Sequence, residues 1–149
     1  MRKGGGASAD MRQALVEAAL ALIDEAGGCR GVTLRAIAAR AGCAHTNVYN
    51  YFPSLESLFW AALLEAQRRS VEMIGQRLAQ AAPGTPEVLG TFVAAMLDFA
   101  QAHPGWYRLI WLEPIGEEVP PEAVPHLVRP RQRLTELIRP LLGPGVSWD

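Results

Sequence analysis

The side chains best suited to chemistry in this sequence fall in one short run, AHTNVYN, from Ala44 to Asn50. Read as a helix, Ala44, His45, Thr46, Asn47 and Asn50 lie away from Val48, Tyr51 and Phe52. An Asn amide matches the N6 and N7 edge of adenine, and a Thr side chain suits a thymine methyl or a base acceptor. The chemistry is that of recognition, because no catalytic set accompanies it. Glu113, Glu117, Glu118 and Glu122 sit in a loop with no His or Cys at a catalytic spacing. Gly4 to Gly6 precede no strand, so they form no phosphate-cradling loop. No Cys and His positions have metal-ligand spacing, and neither a metal nor a cofactor is expected.

Two short helices are required to position that run. Leu34, Ile37, Ala38 and Ala41 recur at i, i+3, i+4 and i+7, which gives a helix from Leu34 to Ala41 one apolar stripe, with Thr33 as its N-cap. Gly42 follows Ala38 by four residues and supplies the positive φ that turns the chain sharply. A second helix then starts near Ala44 or His45 and buries Val48, Tyr51 and Phe52. Two helices crossing at roughly 90 to 120° around such a glycine form a helix-turn-helix, whose second helix enters the DNA major groove.

From Met11 to Ala66 the chain resembles the TetR family of transcriptional regulators. The resemblance rests on ALVEAALALIDEAG (Ala14 to Gly27), TLRAIAARAG (Thr33 to Gly42) and VYNYFPSLESL (Val48 to Leu58), and past Ala66 it is generic. It implies an all-α protein, with a helix-turn-helix domain at residues 1–53 and a helical ligand-binding and dimerisation domain at 54–149. It also implies that Tyr49, with Thr33 and Arg35 on the preceding helix, reaches DNA phosphates. The function it implies is that of a cytoplasmic homodimeric repressor. Two recognition helices about 34 Å apart read a palindromic operator, and a small apolar or aromatic ligand releases it. Three positions depart from the family. Leu55 replaces a Lys that often touches the DNA backbone, Ala44 replaces a Ser or Thr cap, and Cys43 replaces a Val or Ile. The family also pairs two C-terminal helices in its dimer, whereas this sequence, ending at Asp149, has room for one.

Composition agrees with a folded regulator. Half of the 149 residues are hydrophobic and 19% are charged, as in globular proteins. The net charge of -1 looks wrong for a DNA binder, but residues 1–53 hold six Lys and Arg against four Asp and Glu, and the rest holds eight against eleven. The basic excess therefore sits with the helix-turn-helix. Arg2 and Lys3 belong to a Gly-rich arm read as a disordered tail. No apolar run is long enough to span a membrane, and the N-terminus lacks the apolar core of a signal peptide. Two cysteines, Cys29 and Cys43, suit a reducing compartment, and a disulfide between them would need Cα atoms within about 7 Å.

Helices are expected at residues 9–26, 55–81, 87–102, 106–112 and 131–142, with a Pro-rich loop at 113–125. Phe92, Met96 and Phe99, together with Trp106, Tyr107, Ile110 and Trp111, make an aromatic stripe that is either core or the wall of a ligand cavity. His103 is read as a helix C-terminal residue and Trp60 as core or a link between the two regions. Two other functions compete with that of a regulator. One is an interaction module that kept the helix-turn-helix shape but lost DNA binding, and the other is a helical-bundle enzyme acting on an apolar substrate.

Overall fold

The computed structural model describes residues 5–116 and 118–141, and among them helices are the only regular elements. They run α1 (Gly5–Ala26), α2 (Leu34–Arg40), a 3-10 helix (His45–Asn50), α3 (Leu55–Leu78), α4 (Pro86–Ala102), α5 (Pro104–Trp111) and α6 (Val124–Ile138), the last tightening into a 3-10 turn at Arg139–Leu141. The all-α expectation is met. Glu117, Arg2, Lys3 and the expected helix end at Leu142 lie outside the described residues.

α1 is the hub, packed against α2, α3 and α5. Its stripe comes from apolar residues at helical spacing, and Leu15, Ala19 and Ile23 lose all contact with solvent. Gly27, at φ +67, stops the helix, and the Gly28 N–H returns 2.8 Å to the Ile23 carbonyl. α2 ends the same way. Gly42 takes φ +74 and donates to the Ala39 carbonyl while Cys43 donates to Ala38, a glycine-dependent closure that satisfies carbonyls left open at the helix end. The hydrophobic core is continuous, running from Leu15 through Ile37, Val48 and Leu58 to Phe99 and Leu109. Residues on both sides of Pro53 contribute to it.

Two elements differ from expectation. The segment after the turn winds as a 3-10 helix, six residues long and with no side-chain cap at Ala44. An uncapped start and Pro53, which disfavours helical geometry at Phe52, leave too few residues for a stable α-helix. The last helix begins at Val124 instead of Arg131 and runs through Pro130. Pro125 fits its first turn, where no N–H is needed, and Pro130 costs one backbone bond without ending the helix. The starts of α3 and α4 follow the sequence signals, whereas α1 begins at Gly5, ahead of the expected residue 9. Ser54 caps α3 in a reciprocal box with Ser57, each side chain bonded to the other's backbone N–H at 3.1 Å. Thr85 occupies the N-cap of α4, but its hydroxyl donates to the Ala82 carbonyl, 2.8 Å away, and caps nothing.

Candidate nucleic-acid interface

The 3-10 helix is anchored from below by Val48, fully buried, and Phe52, nearly so. Those anchors turn Thr46, Tyr49 and Asn50 outward, with His45 and Asn47 half-buried beside them and Ala44 exposed at the start. The expected recognition residues therefore share one surface. Asn50 Nδ2 donates to Asn47 Oδ1 at 2.7 Å, which holds the two amides as a unit. Their remaining groups are a donor on Asn47 and an acceptor on Asn50, the complement of an adenine edge in the major groove. His45 meets the Tyr49 ring edge-on at 5.6 Å, steadying a side chain that is 53% exposed.

The preceding helix adds groups for a phosphate. Thr33 Oγ1 accepts from the Ala36 N–H at 3.2 Å, as the cap expectation required, and its own hydroxyl proton stays free to donate. Arg35 is exposed and has no ion pair among the described residues. Arg40 is neutralised by Glu25 through two contacts of 2.9 and 2.7 Å, which hold the Glu25 carboxyl below its ordinary range. Arg12 lies over the Phe52 ring, 4.7 Å from its centre. Arg40 therefore adds no net charge here, while Arg12, Arg30 and Arg35 have no ion pair among the described residues.

A second cluster, not expected from sequence, joins the helix-turn-helix to the helices beyond it. Asp24, at the end of α1, accepts from the Gly105 N–H at 3.2 Å and contacts His103 Nδ1 at 2.8 Å. His103 stacks on Trp106 with ring centres 4.0 Å apart, and Trp106 Nε1 donates 2.9 Å to the Leu20 carbonyl. Gly105 sits so close that a Cβ there would collide with the Ile23 carbonyl oxygen. Glu17 and Arg69 pair across α1 and α3, and Glu113 accepts from the Cys29 N–H at 2.6 Å. One signal could have exposed this joint. Asp24 and Glu25 both sit where a helix C-terminus carries partial negative charge, so each calls for a positive or N–H partner.

The aromatic stripe divides when placed in the fold. Phe99 and Trp106 are buried core, Phe92, Met96, Tyr107 and Ile110 are half-buried, and Trp111 is 54% exposed. None of the seven lines the cavity that opens between α3 and α6. His103 does cap α4, and it also bonds to α1, which spacing alone did not reveal. Trp60 is buried and its indole nitrogen has no partner among the described residues. Cys29 and Cys43 are both free and partly buried. Burial and the adjacent Glu113 push the Cys29 thiol up to about 12, so it stays protonated and a poor nucleophile. No group of three or more His, Cys, Asp or Glu among the described residues could hold a metal ion.

A short helix held outward beyond a glycine turn, with amides and a tyrosine on its open side, has the arrangement of a helix-turn-helix. Residues 15–62 match the model of the tetR family of bacterial regulatory proteins, so this N-terminal part of the chain is similar to the domain by which those regulators bind DNA. Two solved structures share the wider fold. One is the fatty acid degradation regulator FadR from Bacillus halodurans, at TM-score 0.58 and 21% identity over 87% of this chain and 68% of that one. The other is the multidrug binding protein EbrR complexed with imidazole, at TM-score 0.56 and 19% identity over 89% and 69%. No curated protein matches the sequence. No helix of the described residues is long and apolar enough to cross a membrane.

Proposed function

We propose that the protein is a cytoplasmic repressor that binds a palindromic operator as a homodimer and leaves it when a small molecule occupies the helical body. The observation that carries this reading is the outward recognition surface of Thr46, Asn47, Tyr49 and Asn50 over buried Val48 and Phe52. Asn47 and Asn50 read one adenine edge together, while Tyr49, Thr33 and Arg35 hold the backbone. Residues 1–53 act as the DNA-binding domain and 54–149 as the ligand-binding and dimerisation domain.

Support for release by a ligand comes from the α1–α5 joint. Because Asp24, Gly105 and Trp106 fasten α5 to α1, a ligand that shifts the body helices shifts the recognition helix with them. Support for pairing comes from α4, where Leu89, Val93 and Leu97 are exposed at four-residue spacing. That stripe is symmetric about Val93, so an antiparallel copy sets Leu89 against the partner subunit's Leu97, as a twofold contact requires.

Gel shifts with a palindrome from the DNA upstream of the coding region test the assignment. Asn47→Ala and Tyr49→Phe should each weaken binding about tenfold, in line with one base or phosphate contact. Affinity should also fall steeply with salt, as phosphate neutralisation demands. Unchanged affinity in both variants would remove the DNA-reading role from this surface.

A further inference from the structure

The cavity between α3 and α6 measures about 200 Å³. Leu64 and Val71 on α3 and Pro130 on α6 give it apolar walls. Arg129 and Arg133, one turn apart on α6, line it from the other side. Neither has an ion pair among the described residues. The α3 carboxylates beside it are already engaged, and Glu136, one turn from Arg133 on α6, forms no ion pair with either arginine. Glu65 holds Arg68 at 2.8 Å and Arg69 at 2.8 Å, and Glu72 holds Arg68 at 3.1 Å. Among the described residues the cavity therefore carries two guanidinium groups that no ion pair neutralises, and His126 lies on the same face of α6.

An independent feature marks the inner wall. Gln67 lines the cavity, is only 5% exposed, and its amide oxygen has no hydrogen-bond partner among the described residues. A buried acceptor left unpaired is unfavourable until a donor reaches it. Guanidinium groups bind carboxylate or phosphate through paired N–H donors, and the apolar walls suit a hydrocarbon or aromatic body. The volume is below the roughly 300 to 1,000 Å³ of pockets for drug-sized ligands.

We propose that this cavity binds a small organic acid, its anionic group between Arg129 and Arg133, its apolar body on Leu64, Val71 and Pro130, and a hydroxyl donated toward Gln67. This deepens the reading that the helical body takes a small-molecule ligand, and rests on it. The acid occupies α3 and α6 and so bears on α3, whose N-terminus directly follows the helix-turn-helix.

Titration calorimetry on the full chain tests it with 3-hydroxybenzoate, phenyl phosphate and neutral 3-hydroxybenzamide. Either anion should bind at least about tenfold more tightly than the amide. Whichever of the two binds more tightly identifies the anionic group. The double variant Arg129→Gln/Arg133→Gln should lose that preference at an unchanged unfolding midpoint, since both side chains are exposed. Gln67→Leu should erase the advantage of 3-hydroxybenzoate over benzoate. Equal binding of anions and amide, a preference that survives in the double variant, or no binding of any probe at millimolar concentration overturns the proposal. Gel shifts separate it from the release reading. Arg-dependent binding that leaves operator affinity unchanged supports the site and removes release by it, whereas release by an uncharged compound with no binding of the acids keeps release and overturns the site.

Discussion

The helix-turn-helix, residues 32–52, and the helical body that follows it finish their surfaces differently. Among the described residues the first exposes one large apolar side chain, Tyr49, while α3 to α6 and their loops expose Met73, Leu89, Val93, Leu97, Trp111, Leu112, Val119, Val124 and Val128. Tyr49 has a polar tip and stands beside two amides, which fits the phosphate and base contacts of the proposed function. The body's aliphatic residues have no polar end to offer water. An apolar surface of that kind suits cover by protein or ligand, and on the proposed function the polar face of the helix-turn-helix is the one left open for DNA.

Variants at the joint between the two regions should have the largest effect. Gly105→Ala places a methyl group against the α1 backbone and should cost about 3 kcal/mol in urea unfolding, together with operator binding. Wild-type stability in that variant would mean that α1 and α5 are less tightly joined than their geometry indicates. Trp106→Phe keeps the ring stacking but deletes the hydrogen bond to Leu20, a loss of about 1 kcal/mol. Thr33→Ala should cost about 1 kcal/mol through its lost cap, and it should weaken DNA binding beyond what the stability change explains. Smallest in stability is Val93→Ser on the exposed face of α4, expected within about 0.5 kcal/mol of wild type. Its effect should appear in sedimentation velocity instead, as a shift toward monomer.

The body also has its own pH signature. The hydrogen bonds from Arg68 and Arg69 hold the Glu65 carboxyl at about 2, well below its ordinary 4.5. A lowered pKa stabilises the fold fully above the ordinary value, and that stability is lost as pH falls from there toward about 2. Urea midpoints measured across this range should drop in wild type and drop less in Glu65→Gln. Equal slopes would show that the α3 ion pairs do not contribute.

The helix-turn-helix was legible because each of its signals is local. Thr33 as a cap, Gly42 as a turn and Val48 with Phe52 as anchors depend on neighbours within a few residues, and all three appear as read. Two misjudged elements also have local causes. The 3-10 winding of His45–Asn50 follows from an uncapped start and Pro53, and the early start of α6 shows that a proline inside a helix removes one bond without ending it. The aromatic stripe was legible as a stripe but not in its fate, because helical spacing places residues on a face without saying what covers that face. Phe99 and Trp106 went to the core, and Trp111 to the surface.

By itself the sequence determined most of the helices, the caps at Thr33 and Ser54 and the place of the polar run, since hydrogen bonds and steric limits within a few residues decide those. Only the tertiary structure decided that Asp24 meets His103 and Gly105, that Glu25 neutralises Arg40, and that Gln67, Arg129 and Arg133 line one cavity. Residues 79 positions apart are brought within 2.8 Å by the burial of apolar faces, which is long-ranged along the chain and leaves no periodic trace at the polar positions it brings together.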